Sequence, residues 1–274
     1  MRAIGFQSML FVPGSKPDRF AKALASGADC VCIDLEDSVP PDQKDEARRA
    51  AIAAVPGDPR LAIRINGVAT RAGLADLLAL AEAEVRPAIL FVPMVETAAE
   101  IAIARSVLAD PAVSFVPLIE TVAGLKNAGA IAAEQGVTAL MFGGGDFSAQ
   151  LGVSLSWEPL LAARGQLILA CAGAGKCAID VPFIHMDDTE GLIAETRRAK
   201  ALGFAAKAAI HPAQIGPIHD VMRPTAAEFE EAEEAEKVFA EAGGAAVRFK
   251  GKMLEVPVMA RYRQILALKG MINA

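Results

Sequence analysis

The sequence predicts an α/β fold, a (β/α)8 TIM barrel with a C-terminal helical extension, on three observations. Eight short apolar runs recur along the 274 residues. Segments of helical period separate them, and most runs end in a residue that carries charge or ligates metal. Strands that keep polar residues to their ends suit a parallel sheet buried on both faces. The alternation itself makes the strands parallel, since parallel neighbours need a crossover between them. Eight repeats favour a closed barrel over an open sheet, and no GxGxxG turn follows the first strand.

Taken in order, residues 8–14 form the first run, and a helix is predicted over 16–26 with Phe20, Ala23 and Leu24 on one face and Gly27 as its cap. The second run, 30–37, closes on Asp34, Glu36 and Asp37 and leads to a helix over 42–55. Cys30 and Cys32 share a face of that strand and read as small buried residues. The third run, 61–66, carries Arg64 among isoleucines before a helix over 74–83. The fourth, 88–96, precedes a helix over 98–108, and the fifth, 114–120, ends in Glu120 before a helix over 127–134. The sixth, 139–146, ends in three glycines and Asp146, with the next helix over 157–171. The seventh, 177–182, precedes a helix over 189–202, and the eighth is 208–212. The strand tips would meet on one rim, where barrel active sites sit.

Residues 1–222 therefore read as a barrel catalytic domain and 223–274 as the extension. Thr225 and Glu228 have the spacing of a capping box for an acidic helix over 226–242, which Gly243-Gly244 stops. A last helix lies near 259–268. The extension either packs on the barrel bottom or serves as a lid or an oligomer contact.

A net charge of −6 excludes a broad basic field for nucleic acid. No apolar run is long enough to span a bilayer, and no signal-peptide pattern begins the chain, so no membrane is expected and a cytoplasmic protein is. The four cysteines have no zinc spacing and read as structural thiols of a reducing compartment.

Converging carboxylates at Asp34, Glu36, Asp37, Glu120 and Asp146 make an oxygen-rich rim suited to a hard cation such as Mg²⁺. A single strand-end acid can equally be a helix cap or a salt-bridge partner. Arg64 points to the barrel interior or its rim, where it forks onto a substrate carboxylate or enolate oxygen, or pairs structurally with Asp34 or Glu36. A cation and a metal flanking one oxygen stabilise an enolate, which reads as carbon–carbon bond chemistry. Lys16, Arg19 and Lys22 after the first strand either form a solvated face or meet an anionic carrier.

The runs Leu10-Phe11-Val12-Pro13-Gly14, Ile33-Asp34-Leu35-Glu36-Asp37-Ser38-Val39, Arg64-Ile65-Asn66, Pro117-Leu118-Ile119-Glu120-Thr121, Phe142-Gly143-Gly144-Gly145-Asp146-Phe147 and Ile210-His211-Pro212-Ala213-Gln214-Ile215 resemble, in order, the citrate lyase β-subunit-like family of CoA-ester lyases. The resemblance implies a Mg²⁺-dependent lyase that cleaves or forms a 3-hydroxyacyl-CoA such as citramalyl-CoA, malyl-CoA or citryl-CoA, with acetyl-CoA and a 2-oxoacid as products. It implies Glu120 and Asp146 as metal ligands, with Arg64 on the oxoacid and enolate oxygens. Glu36 and Asp37 then lie near the metal's water shell, and Phe11, Arg19, Lys22, Ile210 and His211 contact CoA. Segment 251–257 resembles one that brings an acid over a neighbouring subunit's site, here Glu255, which implies a homo-oligomer, a trimer or hexamer. Two departures stand out: Glu255 where relatives often carry Asp, and Gly145 where they commonly carry Glu. The alternatives are a metal-dependent class II pyruvate aldolase acting on free acids, and a subunit that works only inside a citrate lyase complex.

Overall fold

A computed structural model describes residues 4–272 and divides into two compact units, one from Ile4 to Met222 and one from Arg223 onward. In the first, eight parallel strands close into a barrel in chain order: β1 (Ser8–Pro13), β2 (Cys30–Asp34), β3 (Leu61–Arg64), β4 (Ile89–Val92), β5 (Ser114–Ile119), β6 (Ala139–Phe142), β7 (Cys177–Asp180) and β8 (Ala206–Ala209). Closure places Met9 of β1 between Cys30 of β2 and Ala208 of β8. The surrounding helices are α1 (Phe20–Ala25), α2 (Lys44–Ala54), α3 (Arg71–Glu82), α4 (Ala98–Leu108), α5 (Val122–Ala133), α6 (Gly144–Leu151), α7 (Trp157–Gly173), α8 (Thr189–Leu202) and α9 (Ile215–Met222).

Two buried layers follow from strand alternation. Met9, Cys30, Cys32, Ala62, Phe91, Val116, Leu118, Met141 and Ile179 pack together inside the barrel. Their neighbours in sequence, among them Leu10, Val31, Ile63, Leu90 and Leu140, pack outward against the helices. Small residues such as Cys30, Ala62, Ala139 and Ala208 let the interior close around the few large ones. All four cysteines are buried.

Several boundaries differ from the sequence reading. Helices α3 and α5 begin earlier than their apolar periodicity, because Thr70 and Thr121 accept hydrogen bonds from the amides of Gly73 and Gly124 and nucleate an extra turn. β6 stops at Phe142, and the glycine run opens α6, so Asp146 lies in the first turn of a helix rather than on a strand tip. β8 likewise ends at Ala209, leaving Ile210 and His211 beyond it. Helix α9 had no reading in the sequence.

The second unit contains α10 (Ala226–Glu241), capped by the Thr225–Glu228 box, a hairpin of β9 (Val247–Phe249) and β10 (Lys252–Leu254), and α11 (Val256–Ile272). Its own core is Ala235, Phe239, Phe249, Leu254 and Met259. The hairpin was not anticipated, and α11 starts earlier than expected because Pro257 suits a first helical turn. Among the described residues, no helix is long and apolar enough to cross a membrane.

Candidate active site

The carboxyl ends of the strands open into a cavity of about 480 Å³, with Asp34, Asp37, Arg64, Glu120 and Asp146 among its lining residues. Asp34, Arg64 and Glu120 extend the inward-facing rows of β2, β3 and β5, the rows of Cys32, Ala62 and Leu118. The pleat therefore turns all three towards the barrel axis.

Arg64 is the hub. Its Nε donates to Asp34 Oδ1 at 2.6 Å, and its Nη1 lies 2.7 Å from Glu36 Oε2 and 3.4 Å from Asp37 Oδ2. The guanidinium also sits 4.9 Å from the centre of the Phe11 ring. Burial alone would raise the Asp34 carboxyl. The Arg64 contact outweighs it, and the amides of Glu36 and Ser38 add their hydrogen bonds, so Asp34 is held below its usual value. Asp34 thus organises the loop after β2 as well as holding Arg64.

A buried chain of polar groups supports that loop from behind. Lys44 Nζ donates to the carbonyls of Leu35 and Glu36 at 2.7 and 2.6 Å and to Asn66 Oδ1 at 2.6 Å. The amide and Nδ2 of Asn66 donate to Asp76 Oδ2, whose other oxygen accepts from Arg48 Nε at 2.6 Å. Sequence reasoning gave no role to Lys44, Asn66 or Asp76. An aspartate inside the apolar pattern of α3 was the available signal, because a fully buried acid needs partners.

Glu36 and Glu120 have the opposite electrostatics from Asp34. Burial pushes the Glu36 carboxyl up to about 8, and the nearby acids Glu120, Asp37 and Asp34 reinforce this against Arg64. Oε2 of Glu36, although close to Arg64, has no hydrogen-bond donor aligned with it. Burial likewise pushes Glu120 up to about 7, with Asp146 and Asp37 adding negative charge.

The backbone is shaped around Glu120. Met94 adopts the left-handed region at φ 54°, and its amide donates to Glu120 Oε2 at 2.7 Å. Gly143 follows β6 with no side chain because a Cβ there would stand 2.1 Å from Glu120 Cγ. Thr121, next along, caps α5 and donates its hydroxyl to Glu96, which gives Glu96 a structural place.

Among the sequence-predicted residues, Phe11, Asp37, Arg64, Glu120, Asp146 and Ile210 line one cavity, and Glu36 joins them through Arg64. Arg19 and Lys22 are exposed on the first loop and helix, outside the cavity lining. His211 caps the turn after β8, its Nδ1 accepting from the Ala213 amide at 3.2 Å. Glu255 is exposed at the start of α11 in the second unit.

The donor set fits a hard divalent cation. Glu120 and Asp146 offer carboxylate oxygens, and a buried acid pushed up to about 7 is one that a cation would re-ionise. Among the described residues, no three His, Cys, Asp or Glu side chains cluster closely enough to hold a metal by themselves. Mg²⁺ takes one or two carboxylates and completes its shell with water and substrate oxygens.

Comparison with known proteins is consistent with this geometry. Residues 7–212 match the family model described as HpcH/HpaI aldolase/citrate lyase, and residues 162–269 match one described as a C–C bond lyase of the TIM-barrel fold. The chain is 34% identical to the L-malyl-CoA/β-methylmalyl-CoA lyase of Rhodobacter capsulatus, over 90% of this chain and 89% of that protein. It is 30% identical to the mitochondrial citramalyl-CoA lyase of Rattus norvegicus, over 96% of this chain and 85% of that protein. The crystal structure of CitE from Mycobacterium tuberculosis with magnesium, acetoacetate and coenzyme A superposes with a TM-score of 0.80, at 33% identity, covering 97% of this chain and 98% of that one. The chain belongs to the HpcH/HpaI aldolase/citrate lyase family.

Proposed function

We propose that the protein is a Mg²⁺-dependent lyase that reversibly cleaves a 3-hydroxyacyl-CoA into acetyl-CoA and a 2-oxoacid. The observation that carries this reading is the meeting of Glu120, Asp146 and Arg64 in one cavity, with Glu120 buried against a glycine that only its side chain explains. The relatives named for malyl-CoA, β-methylmalyl-CoA and citramalyl-CoA give the class of thioester.

Glu120 and Asp146 hold the cation. When bound, Mg²⁺ polarises the oxygens of the oxoacid fragment and fixes its orientation. Arg64, braced by Asp34 and Glu36, faces the same space and neutralises the charge that develops on the thioester oxygen as the C–C bond breaks. Asp34 keeps that guanidinium from turning, and Lys44 keeps the loop that carries Glu36 and Asp37 in place. Phe11 and Ile210 flank the path of the pantetheine arm, with Arg19, Lys22 and His211 outside it for the anionic end of CoA. Glu255 of a neighbouring chain in a homo-oligomer takes the hydroxyl proton in the cleavage direction.

The test is an assay of citramalyl-CoA, malyl-CoA and citryl-CoA with Mg²⁺ and with chelator. Metal-dependent release of acetyl-CoA from at least one is expected. Turnover of a free hydroxy-oxo acid faster than any thioester would overturn the reading in favour of an aldolase, and so would inertness towards all three.

A further inference from the structure

Strands β7 and β8 pair at two positions, Ile179 with Ala206 and Asp180 with Lys207. The chains then part, and the loops that follow both reach the cavity, through Val181, Pro182 and Ile184 on one side and Ile210 on the other. Backbone groups beyond the last pair need partners from elsewhere. Gln214 supplies them for the carbonyl of Phe183 and the amides of Ile210 and His211. Its Nε2 donates to the Phe183 oxygen at 2.7 Å, and its Oε1 accepts from Ile210 N at 2.9 Å and from His211 N at 3.2 Å.

A side-chain amide carries the same donor and acceptor as a peptide group. Gln214 therefore works as one more rung between β7 and β8, placed past the point where they separate. The single 3-10 turn Pro212–Gln214 folds it back over the gap, and the Ala213 amide in that turn donates to His211 Nδ1. In a neutral ring this leaves Nε2 as the N–H of His211. Lys207 adds a second tie, its Nζ donating to the Val181 carbonyl at 2.8 Å. Gln214 is buried, whereas Ile210 and His211, which it holds, are exposed. A buried amide is costly unless its polar atoms are bonded, and here both are.

Resting on the thioester-lyase reading above, we propose that Gln214 is a positioning residue that holds the loops after β7 and β8 ready for coenzyme A, and so sets thioester affinity and not the rate of the carbon–carbon step. Ile210 and His211 touch the ligand, and Gln214 acts through them. Loops fixed before the ligand arrives lose no freedom when it binds. The oxoacid end, held by Glu120, Asp146 and Arg64, stands on other elements and does not draw on this tie.

Calorimetric titration of the full-length protein with coenzyme A, and separately with pyruvate in the presence of Mg²⁺, tests this. Gln214→Met keeps the length of the side chain and removes its bonds. It should weaken coenzyme A at least about tenfold, the cost of backbone groups left unpaired, while pyruvate affinity stays within about twofold. On any thioester the unaltered protein cleaves, KM should rise by the same factor and kcat should change less than about twofold. Gln214→Glu keeps the acceptor and, once protonated, regains the donor. Its coenzyme A affinity should therefore approach that of the unaltered protein as pH falls from about 8 to 5. Coenzyme A bound by Gln214→Met as tightly as by the unaltered protein would overturn the proposal. Equal weakening of coenzyme A and pyruvate would also overturn it, since general loosening of the barrel predicts that. Should Gln214→Met not fold, hydrogen exchange in the unaltered protein decides. The Ile210 and His211 amides should exchange slowly before coenzyme A is added, and fast exchange that only coenzyme A slows sinks the idea. The two readings fail separately. The expected coenzyme A losses with no thioester cleaved sink the lyase and leave the role of Gln214, whereas thioester cleavage with KM unmoved in Gln214→Met does the reverse.

Discussion

Two buried ionic networks lie on opposite faces of the same barrel wall, and their charge balance differs. Outside, between sheet and helices, Asp180 Oδ1 accepts from Arg164 Nε and Oδ2 from Lys207 Nζ, both at 2.8 Å. Lys207 Nζ also donates to the carbonyl of Val181 and to Glu195, while the Arg164 guanidinium lies 4.7 Å from the Trp157 ring centre. Two acids meet two bases, and burial of Asp180 is more than offset by Lys207 and Arg164, which hold its carboxyl below the usual range. Inside the rim, Asp34, Glu36, Asp37, Glu120 and Asp146 outnumber Arg64 and the Lys44 behind their loop, and Glu36 and Glu120 are pushed up rather than down. A network matched in charge makes structure, even though Arg164 Nη1 is buried without a hydrogen-bond partner among the described residues. One with surplus buried acid is complete only when something positive arrives.

The largest effect that tests this contrast is expected in the outer network. Lys207→Met leaves Asp180 and Glu195 without their shared donor and should destabilise the fold by about 3–5 kcal/mol, the cost of breaking a buried pair on one side. Thermal or urea denaturation reads this, and Mg²⁺ should not restore it. The inner network should behave in the reverse way. Glu120→Gln removes a desolvated acid for a neutral isostere, so the metal-free protein should melt at the same or a higher temperature. Activity should fall at least about 100-fold, because loss of an outer-shell partner alone costs metal sites 10–100-fold. If Glu120→Gln unfolded the protein or Lys207→Met spared it, the division between the faces would be wrong.

The pH dependence comes next. Glu36 and Glu120 carry folded-state values of about 8 and 7, above their ordinary value, so the folded chain binds more protons than the unfolded one across the interval between. Their contribution to stability is therefore present at mildly acidic pH and is lost as pH rises from about 5 to 8. Asp34 and Asp180 are lowered, and their contribution is present above the ordinary carboxylate range and lost on acidification. Melting temperature of metal-free protein should fall between pH 6 and 8.5, and saturating Mg²⁺ should flatten that slope. A slope unchanged by both Mg²⁺ and Glu120→Gln would place its origin outside the cavity.

Strand alternation is also what made part of this legible in the sequence. Eight apolar runs gave the barrel, and Arg64, set between isoleucines, read correctly as pointing to the interior or its rim. The same parity separates the acids: Asp34 continues the row of Cys30 and Cys32, whereas Asp180 continues that of Ala178, which packs outward on the helices. Counting acids at strand ends blurred that difference. Lys207 was invisible for a related reason, since a strand of alanines gives no hint that one lysine is fully buried against a distant aspartate. Asp146 reads as the tip of the sixth apolar run, yet α6 begins at Gly144, just after the Gly143 that packs against Glu120, so Asp146 lies in a first helical turn. Pairings between elements far apart in the chain, such as Lys44 with Asn66, leave no local periodicity to read.

The smallest expected effect concerns a cluster at the amino end of the barrel that imitates a catalytic triad. Ser8 Oγ lies 2.7 Å from His219 Nε2, and Asp29 Oδ2 lies 3.4 Å from that same nitrogen. A triad needs the serine and the acid on opposite ring nitrogens, so that one is activated while the other orients. Here they share one. Ser8 is wholly buried, and its hydroxyl also accepts from the Asp29 amide at 3.1 Å. Asp29 in turn accepts from the amides of Gln7 and Ser8, tying the starts of β1 and β2 together. The amino-terminal face of such a barrel is where stability resides. Ser8→Ala should therefore cost about 1 kcal/mol in denaturation, the net worth of a hydrogen bond. Its kcat/KM on the thioester substrates should equal that of the unaltered protein, and a serine-directed phosphonate should label neither. Loss of turnover in Ser8→Ala with the melting temperature unchanged would put chemistry at the wrong end of the barrel and break the contrast drawn between its matched and unmatched charges.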